Sequence, residues 1–351
     1  MNNEWQQFLS TMNASIEENT VTNFALSLEE EQMGFNNLIL ADLSHYGLIE
    51  VSGDDAVEFL QGQLTNDIKN VTDNQGQLSA YCNPKGRILS NFRIFKIKKS
   101  FYLHMRRDIL AATLKRLRMF VMRSKVELSD VSDVIIGMGI AGDNASTQLA
   151  NHFSILPQNS DDFVTENGIT LVKLSGPLLR YQAFAGFSET QSLWQSLSKD
   201  AVLVGENTWN LLTIRTAIPE VVTETVEAFV PQMVNLQAIN SLSFTKGCYP
   251  GQEVVARMHY LGKLKRRLFR GSVKMNTLPT SGEGIFTNKE NEQKIGQIVS
   301  ASHSSAETVE FLAVLQIEKA ENEPLHIGSS TAAVVTLLDL PYTLEIEEKS
   351  K

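Results

Sequence analysis

The feature that most constrains the fold of this chain is an order of strand-like and helix-like patterns that occurs twice in succession. The first copy is a strand at 46–51, a helix with Val57, Leu60 and Leu64 on one face, strands at 78–82, 88–97 and 101–105, a helix at 109–121 and a strand near Val126. The second copy is a strand at 134–140, a helix near 145–150, strands at 170–174 and 180–185, a helix at 189–197 and a strand at 201–204. This is the order of a split βαβ unit, so the sequence predicts two ferredoxin-like subdomains.

The pattern changes after about residue 260. Short alternating runs at 268–273, 295–299, 309–315 and 331–337 are separated by clusters of Gly, Asn and Ser, and no convincing helix accompanies them. Such runs are typical of a small antiparallel β-barrel. The predicted class is therefore α+β.

Three parts follow from this reading. Residues 1–35 are polar and acidic and are predicted to be a loosely packed lead-in. Residues 36–258 form a body with subdomains at about 36–130 and 131–258, and residues 259–345 form the C-terminal barrel. No low-complexity linker separates the parts, so we expect them to pack together.

The composition narrows the classes of function. The 351 residues include 31 Lys and Arg against 40 Asp and Glu, a net charge of −9, which argues against a protein that binds nucleic acid with its whole surface. Two cysteines, Cys82 and Cys248, are too few for a disulfide framework or a self-contained four-cysteine zinc or iron–sulfur site, and the six scattered histidines predict no metal site made by protein groups alone. No leader pattern or long apolar run occurs, so we expect a cytoplasmic protein without a membrane partner.

Two short motifs have alternative interpretations. Gly137, Gly139 and Gly142 match G-x-G-x-x-G after an apolar strand, which indicates either a dinucleotide site or an ordinary strand-to-helix turn. We favour the turn, because no regular parallel βαβ series surrounds the motif. Ser243 and Lys246 match S-x-x-K, but the S-D-N and K-T-G partners of an acyl-enzyme site are missing.

Basic residues concentrate in two stretches. Residues 85–125 hold 13 of the 31 Lys and Arg with one acid, and residues 257–270 hold six with none. These stretches are either solvated faces or a positive surface for phosphate, polycarboxylate or RNA. The candidate anion-binding residues are Lys85, Arg87, Lys263, Arg266 and Arg267.

The segment 246–253, Lys-Gly-Cys-Tyr-Pro-Gly-Gln-Glu, carries the strongest functional signal. Gly247 and Gly251 permit a tight loop around Cys248, and Lys246 with the basic stretch could favour its thiolate. The remaining residues of this signature are Tyr249, Gln252 as a hydrogen-bonding group, Glu253 as a proton acceptor, and Arg257.

This segment and those at 62–67, 81–87 and 229–238 resemble the YgfZ family, and the match spans roughly residues 40–270. YgfZ proteins are similar to the T protein of the glycine-cleavage system, a tetrahydrofolate-dependent aminomethyltransferase. The resemblance implies a folate-binding body and a C-terminal barrel in a ring around a central channel. It also implies that Cys248 is an essential thiol and that Tyr46 and Trp209 lie beside the folate, where flat rings suit a pterin.

Two departures from the relatives bear on the chemistry. Where aminomethyltransferases carry an Asp-Asp pair, this chain has Ser90 and Asn91, neither of which can be the carboxylate that pairs with a developing cation. Glycine-cleavage activity is therefore not expected. Arg215 stands where folate-binding relatives carry Glu, and Ala217 where they carry Gly. Because Arg has no acceptor for a pterin's N–H groups, we expect it to meet the anionic tail of a folate instead.

The leading hypothesis is an accessory protein and not a self-sufficient enzyme. It binds a folate and presents Cys248, as a single ligand of a transient iron–sulfur cluster or as a redox thiol, to iron–sulfur enzymes of tRNA modification or to cluster-assembly proteins. Missing cluster ligands would come from the partner, a small thiol or Cys82. The first alternative is a folate-dependent one-carbon transferase with Cys248 as nucleophile and Glu253 as base. The second is direct tRNA binding through the basic stretches.

Overall fold

The computed structural model describes residues 1–287, 293–328 and 334–344. The helices are α1 Asn3–Thr11, α2 Leu28–Met33, α3 Ala56–Gln63, α4 Arg107–Arg118, α5 Ala145–Leu149, α6 Phe187–Leu197, α7 Glu206–Arg215, α8 Gln252–Leu261 and α9 Ile317–Asn322. The strands of the first half are β1 Ser15–Glu17, β2 Thr20–Asn23, β3 Ile39–Asp42, β4 Tyr46–Ser52, β5 Gln77–Cys82, β6 Ile88–Ile97, β7 Ser100–Arg106, β8 Glu127–Asp130 and β9 Ile136–Ala141. Those of the second half are β10 Phe163–Glu166, β11 Ile169–Leu174, β12 Arg180–Ala185, β13 Val202–Val204, β14 Arg266–Lys274, β15 Gly284–Thr287, β16 Gln293–Ser305, β17 Thr308–Gln316, β18 Leu325–Ile327 and β19 Thr336–Leu338.

The first sheet has the strand order β5-β6-β7-β4-β8, and all of its pairs are antiparallel. Helices α3 and α4 bury one face each against it: Phe59 and Leu60 of α3, and Leu110, Leu114 and Leu117 of α4, lie in the same apolar core as the strands. In α4 these residues are spaced by four and three positions, and in α3 Phe59 and Leu60 follow the buried Ala56 by three and four, so each helix has one apolar stripe.

The second sheet has the order β10-β11-β12-β9-β3-β13, with β3 and β13 parallel. Strand β3 pairs with β9, although residues 39–42 were assigned to the first subdomain. The reason is burial, since all four residues of β3 are buried, so the strand needs a neighbour on both edges. The subdomain boundary near residue 130 therefore does not separate the two sheets.

The expectation of a loosely packed lead-in is wrong. Asn2 caps α1, whose Trp5 and Leu9 are fully buried in the core of the second sheet, and Trp5 Nε1 donates to Asp42 Oδ1 at 2.7 Å. In α2, Glu31 accepts hydrogen bonds from Gly205 N and Thr208 Oγ1 at the start of α7. A largely polar segment is thus held by a few apolar anchors and by one buried carboxylate that satisfies a helix N-terminus.

The C-terminal sheet is a curled six-stranded antiparallel sheet of order β18-β15-β16-β17-β14-β19. The alternating pattern predicted its main strands, but α9 contradicts the expectation that no helix occurs after residue 260. At six residues, α9 is too short to leave a clear periodic signal. The predicted run at 331–337 lies partly outside the described residues, which resume at 334.

The α+β class and the antiparallel C-terminal sheet are confirmed. The finer expectations, namely two ferredoxin-like subdomains, a closed barrel and a ring, stay predictions.

Candidate functional site: a charged cavity and an exposed cysteine

A small buried cavity lies where the first sheet, the second sheet and α7 meet. It has a volume of about 60 Å³, and Tyr46 of β4 and Trp209 of α7 both line it. The charged and polar side chains that line it with them are Asn91, Arg93, His104, Arg106, Arg180, Gln182, Thr213 and Glu220. The structure thus brings together the two aromatic residues predicted to lie beside a ligand.

Tyr46 is held through both its hydroxyl and its ring. The hydroxyl donates to Glu220 Oε1 at 2.6 Å, and the ring stacks on His104 with 4.8 Å between centroids. Burial raises the pKa of Tyr46 well above 10 and lowers the pKa of His104 to about 3. Both rings are therefore neutral at pH 7 and present uncharged faces to the cavity.

Trp209 lies against the glycine motif. A Cβ atom on Gly139 would come within 2.5 Å of the indole, so the ring needs a glycine there. Gly137 and Gly139 belong to β9, while Gly142, with φ of 121°, turns the chain toward α5. The motif therefore forms a strand-to-helix turn and supports Trp209, which favours the structural interpretation over dinucleotide binding.

Buried charges determine the electrostatics of the cavity. Burial lowers the pKa of Arg93 to about 9 and that of Arg180 to about 10, and it raises the pKa of Glu220. Arg106 Nη2 pairs with Glu206 at 2.9 Å. Within the described ranges, the Nε atoms of Arg106 and Arg180 are buried without a hydrogen-bond partner. Buried donors are normally satisfied, so these two atoms are donors that the described part of the chain leaves without a partner.

Sequence reasoning missed Glu220. Asn91 positions it, since Asn91 Nδ2 donates to Pro219 O at 2.7 Å and Asn91 Oδ1 accepts from Val221 N at 2.8 Å. Asn91, which stands where aminomethyltransferases carry an Asp, therefore positions the carboxylate of Glu220 from another part of the chain. The sequence signal was a Pro-Glu pair after a helix, and it does not tell which way the side chain points.

Two clefts adjoin the cavity. A cleft of about 980 Å³ shares Leu78 and Ile218 with the cavity and extends to Phe244 and Thr245. A second cleft, of about 450 Å³, shares Arg106, Thr213 and Glu220 with it and reaches the C-terminal sheet. The cavity therefore shares part of its lining with both clefts, and Thr245 of the larger cleft precedes Cys248 by three residues in the chain.

The signature loop, residues 246–251, is held by its buried lysine. Lys246 Nζ donates to the carbonyls of Gln61, Leu64 and Asn66 at 2.7, 2.5 and 3.2 Å. Gln61 and Leu64 lie at the C-terminal end of α3, where carbonyls lack intrahelical partners and a cation is favourable. The lysine thus anchors the loop to α3, which differs from the expected role of favouring the Cys248 thiolate. Burial lowers the pKa of Lys246 to about 8.

The other end of the loop packs on the turn that follows β5. Gly251 has φ of 81°, and a Cβ atom there would lie 2.4 Å from Asn83 O and 2.6 Å from Gly86 Cα. Between the anchors, Gly247 and Cys248 are exposed, while Tyr249 is buried. The result is an exposed thiol on a loop that is fixed at both ends.

Helix α8 begins directly after the loop. Gln252 Nε2 donates to Lys246 O at 3.3 Å, and Glu253 is exposed in the first turn of the helix. The role of Glu253 as a base stays a prediction.

The sequence was compared with protein families and with known proteins. The family described as GCVT N-terminal domain matches residues 6–172. The tRNA-modifying protein YgfZ of Hamiltonella defensa is 37% identical over 277 residues, which are 79% of this chain and 81% of that protein. The protein of the same name from Yersinia enterocolitica is 33% identical over 308 residues, 88% of this chain and 93% of its own. This chain belongs to the YgfZ family.

The resemblance to YgfZ proteins is thereby confirmed. Among solved structures, the glycine cleavage system aminomethyltransferase T from Bartonella henselae superposes with a TM-score of 0.76 over 97% of both chains at 15% identity. At that identity the likeness concerns the fold alone.

The two cysteines of this YgfZ family member differ in burial: Cys248 is exposed and Cys82 is not. The Cys82 thiol is buried in the apolar core that also contains Tyr249, and burial raises the pKa of Cys82 to about 12. A thiol in that environment stays protonated and inert, so Cys82 is unsuited to complete a cluster site.

Arg215 lies outside the cavity lining. Its guanidinium forms a two-pronged pair with Glu310 of β17, with Nη2 to Oε1 at 2.8 Å and Nε to Oε1 at 3.1 Å, and it lies 5.9 Å from the ring centroid of Phe35. It therefore joins α7 to the C-terminal sheet, and its contact with a folate tail stays a prediction.

The candidate anion-binding residues divide into two groups. Arg87 Nη1 donates to Ala228 O at 2.7 Å, and Arg267 pairs with Glu321 at 2.9 Å, so these two are engaged within the chain. Lys85, Lys263 and Arg266 are exposed, as is Arg257 of the signature.

Within the described residues no group of three or more His, Cys, Asp or Glu side chains could hold a metal ion. Nor is any helix of those ranges long and apolar enough to cross a membrane.

Proposed function

We propose that this YgfZ family member is a folate-binding accessory protein that supports tRNA modification, methylthiolation in particular, by assisting the assembly or repair of iron–sulfur clusters through Cys248. The names of the relatives support a role in tRNA modification, and the matched GCVT domain supports folate binding. The observation that carries the proposal is the exposed Cys248 thiol on a loop whose flanking residues Lys246 and Tyr249 are buried.

The residues of the cavity fit a folate chemically. Tyr46 and Trp209 offer aromatic faces to a pterin, Glu220 offers a carboxylate to its N–H groups, and the Nε atoms of Arg106 and Arg180 offer donors to its acceptors. The cavity alone holds only a few water molecules, so a pterin would also use the space that the cavity shares with the larger cleft. A bound folate would supply a carrier of one-carbon units.

Cys248 would contribute one ligand to a cluster that another protein carries. A cluster needs several ligands, and the buried Cys82 is unsuited to be one of them. The others would come from the partner, an iron–sulfur enzyme of tRNA modification or a cluster-assembly protein, or from a small thiol.

The rival function, a one-carbon transferase with Cys248 as nucleophile, has less support. Cys248 lines neither the cavity nor the two clefts that adjoin it. A nucleophile must come within about 3–3.5 Å of the carbon it attacks, and a folate in the cavity would not meet this thiol.

The experiment compares Cys248→Ser with the unchanged protein in cells that lack it, under oxidative stress, by mass spectrometry of methylthio-modified tRNA. We expect Cys248→Ser to lose most of the modification at normal protein abundance. Cys82→Ala is the matched control, because it removes the other thiol of the chain, and we expect it to restore modification in proportion to its abundance. Full restoration by Cys248→Ser would show that the thiol is dispensable and would contradict the proposal.

A further inference from the structure

The surface that follows Cys248 along the chain carries free positive charge. Arg257, Lys263, Lys265 and Arg266 are exposed, and none of them forms a hydrogen bond or ion pair with its side chain in the part of the chain that the structure describes. The other two cations of this stretch are engaged: Arg267 pairs with Glu321, and Arg270 lies 3.7 Å from Glu310. Four cations therefore remain available to an external anion.

The contrast with the rest of the molecule is strong. Residues 254–270 contain no Asp or Glu, whereas the whole chain has a net charge of −9. A polyanion would be attracted to the two basic stretches of this acidic chain, of which this segment is the one that contains no acid.

Exposed aromatic and apolar groups occur in the same stretch of the chain as these cations. Tyr260 is 65% exposed and Leu261 is 78% exposed at the end of α8. Behind Tyr260, His259 stacks on Phe244 with 3.8 Å between ring centroids, and the ring centroids of His259 and Tyr260 are 4.8 Å apart. Tyr260 is thus a supported ring with a face open to solvent. We call Arg257, Tyr260, Leu261, Lys263, Lys265 and Arg266 the α8 surface.

We propose that the α8 surface binds an unpaired segment of RNA, with phosphates on its four cations and a base stacked on Tyr260. Cations that follow the backbone together with an aromatic ring that stacks on a base are the means by which proteins hold single-stranded nucleic acid. A duplex would use the cations but hide its base faces from Tyr260. The proposal rests on the proposed function, for which it identifies a loop of tRNA as the RNA.

The α8 surface lies near Cys248, so RNA bound there would be close to the thiol. Helix α8 has 10 residues, and at about 1.5 Å per residue it is about 15 Å long. RNA at its C-terminal end would therefore lie within reach of a partner enzyme that contacts Cys248 just before its N-terminal end.

The test measures binding of the full chain to a fluorescent RNA stem-loop at several salt concentrations. A blunt, fully paired RNA of the same length and polyglutamate are the comparison ligands. With four phosphate contacts on a single strand, the slope of log K against log salt is expected near −3, since each contact contributes about 0.7. We expect the stem-loop to bind at least tenfold more tightly than the paired RNA.

Two variants and a matched control separate the contribution of the phosphate contacts from that of base stacking. Lys263→Ala with Lys265→Ala is expected to make the slope about 1.4 less steep. Tyr260→Ala is expected to weaken stem-loop binding about tenfold and to leave the slope unchanged. The control is Lys98→Ala with Lys99→Ala, which removes the same charge from exposed residues between β6 and β7 and should change neither.

Three outcomes would overturn the proposal: a control pair that weakens binding as much as the α8 pair, equal affinity for paired RNA, or binding of polyglutamate as tight as that of RNA. The last would assign the surface to an acidic protein. Because binding is measured with purified components, failure here leaves the cellular test of Cys248 unaffected.

Discussion

In the cavity, the buried Nε atoms of Arg106 and Arg180 have no hydrogen-bond partner in the described ranges, whereas in the signature loop the buried ammonium of Lys246 donates to three carbonyls. The two regions are also assembled differently. The cavity collects side chains from six strands, from α7 and from the segment after α7, but the loop is one continuous stretch.

This difference indicates two kinds of site. Buried polar groups without partners are unfavourable, and a ligand that satisfied them would remove this cost, which makes the cavity a candidate binding site. The loop satisfies its own buried groups and uses them to fix the backbone around an exposed residue, Cys248. Three changes would break or sharpen this comparison.

The largest effect is expected for Gly251→Ala. The substitution places a Cβ atom 2.4 Å from Asn83 O and keeps a φ of 81° that non-glycine residues avoid. Backbone strain and overpacking together should lower the free energy of unfolding by about 3 kcal/mol. Urea denaturation measures the change. Gly247→Ala is the control, because no atom lies within 4 Å of the added Cβ, and its effect should stay below about 0.5 kcal/mol. Equal effects would show that the loop is not anchored at Gly251.

Glu220→Gln is expected to have two smaller effects of opposite sign: the protein becomes more stable at pH 7, and its affinity for a folate decreases. Burial raises the pKa of Glu220, so the folded state keeps a proton that the unfolded chain releases above about pH 4.5. Stability contributed by this group is therefore present at low pH and is lost as the pH rises from 4.5 through the folded pKa. The Gln side chain does not titrate, so the variant should lack this loss and should unfold at a higher temperature than the unchanged protein at pH 7.

The same variant tests the cavity as a binding site. Tetrahydrofolate affinity, measured by calorimetry, should fall about tenfold, because Gln provides one acceptor oxygen where the carboxylate provides two. Unchanged affinity together with increased stability would show that Glu220 does not contact the ligand.

The smallest effect is expected for Arg215→Ala. It removes the pair with Glu310. Because Arg215 is partly exposed and Arg270 still lies 3.7 Å from the buried Glu310 carboxylate, the free energy of unfolding should fall by only about 1 kcal/mol. Folate affinity should change less than twofold, since Arg215 does not line the cavity. A double-mutant cycle with Glu310→Gln measures the pair. A large loss of folate affinity would restore Arg215 as a contact of the ligand's tail.

Features that depend on neighbouring residues were predicted correctly from the sequence, and features that depend on contacts between distant segments were not. Strands β6 and β12 were predicted with their observed bounds, because the pattern of apolar and aromatic residues that indicates a strand is complete within a few positions. The N-terminal segment was misjudged because only Trp5 and Leu9 anchor α1, and a few apolar residues in a polar segment give a weak periodic signal. Glu220 and Arg180 were missed because the direction of each side chain depends on contacts with residues far away in the chain, such as Asn91.

The sequence by itself determined the α+β class, the family and the loop that carries Cys248, since each of these is written in adjacent residues. Only the tertiary structure decided that Lys246 closes the end of α3, that Cys82 is buried and that Arg215 pairs with Glu310. It alone also showed that Glu220 joins Tyr46 in the cavity. The reason is that burial and pairing depend on which segments meet in space, and free energies of desolvation and hydrogen bonding act only after those segments have met.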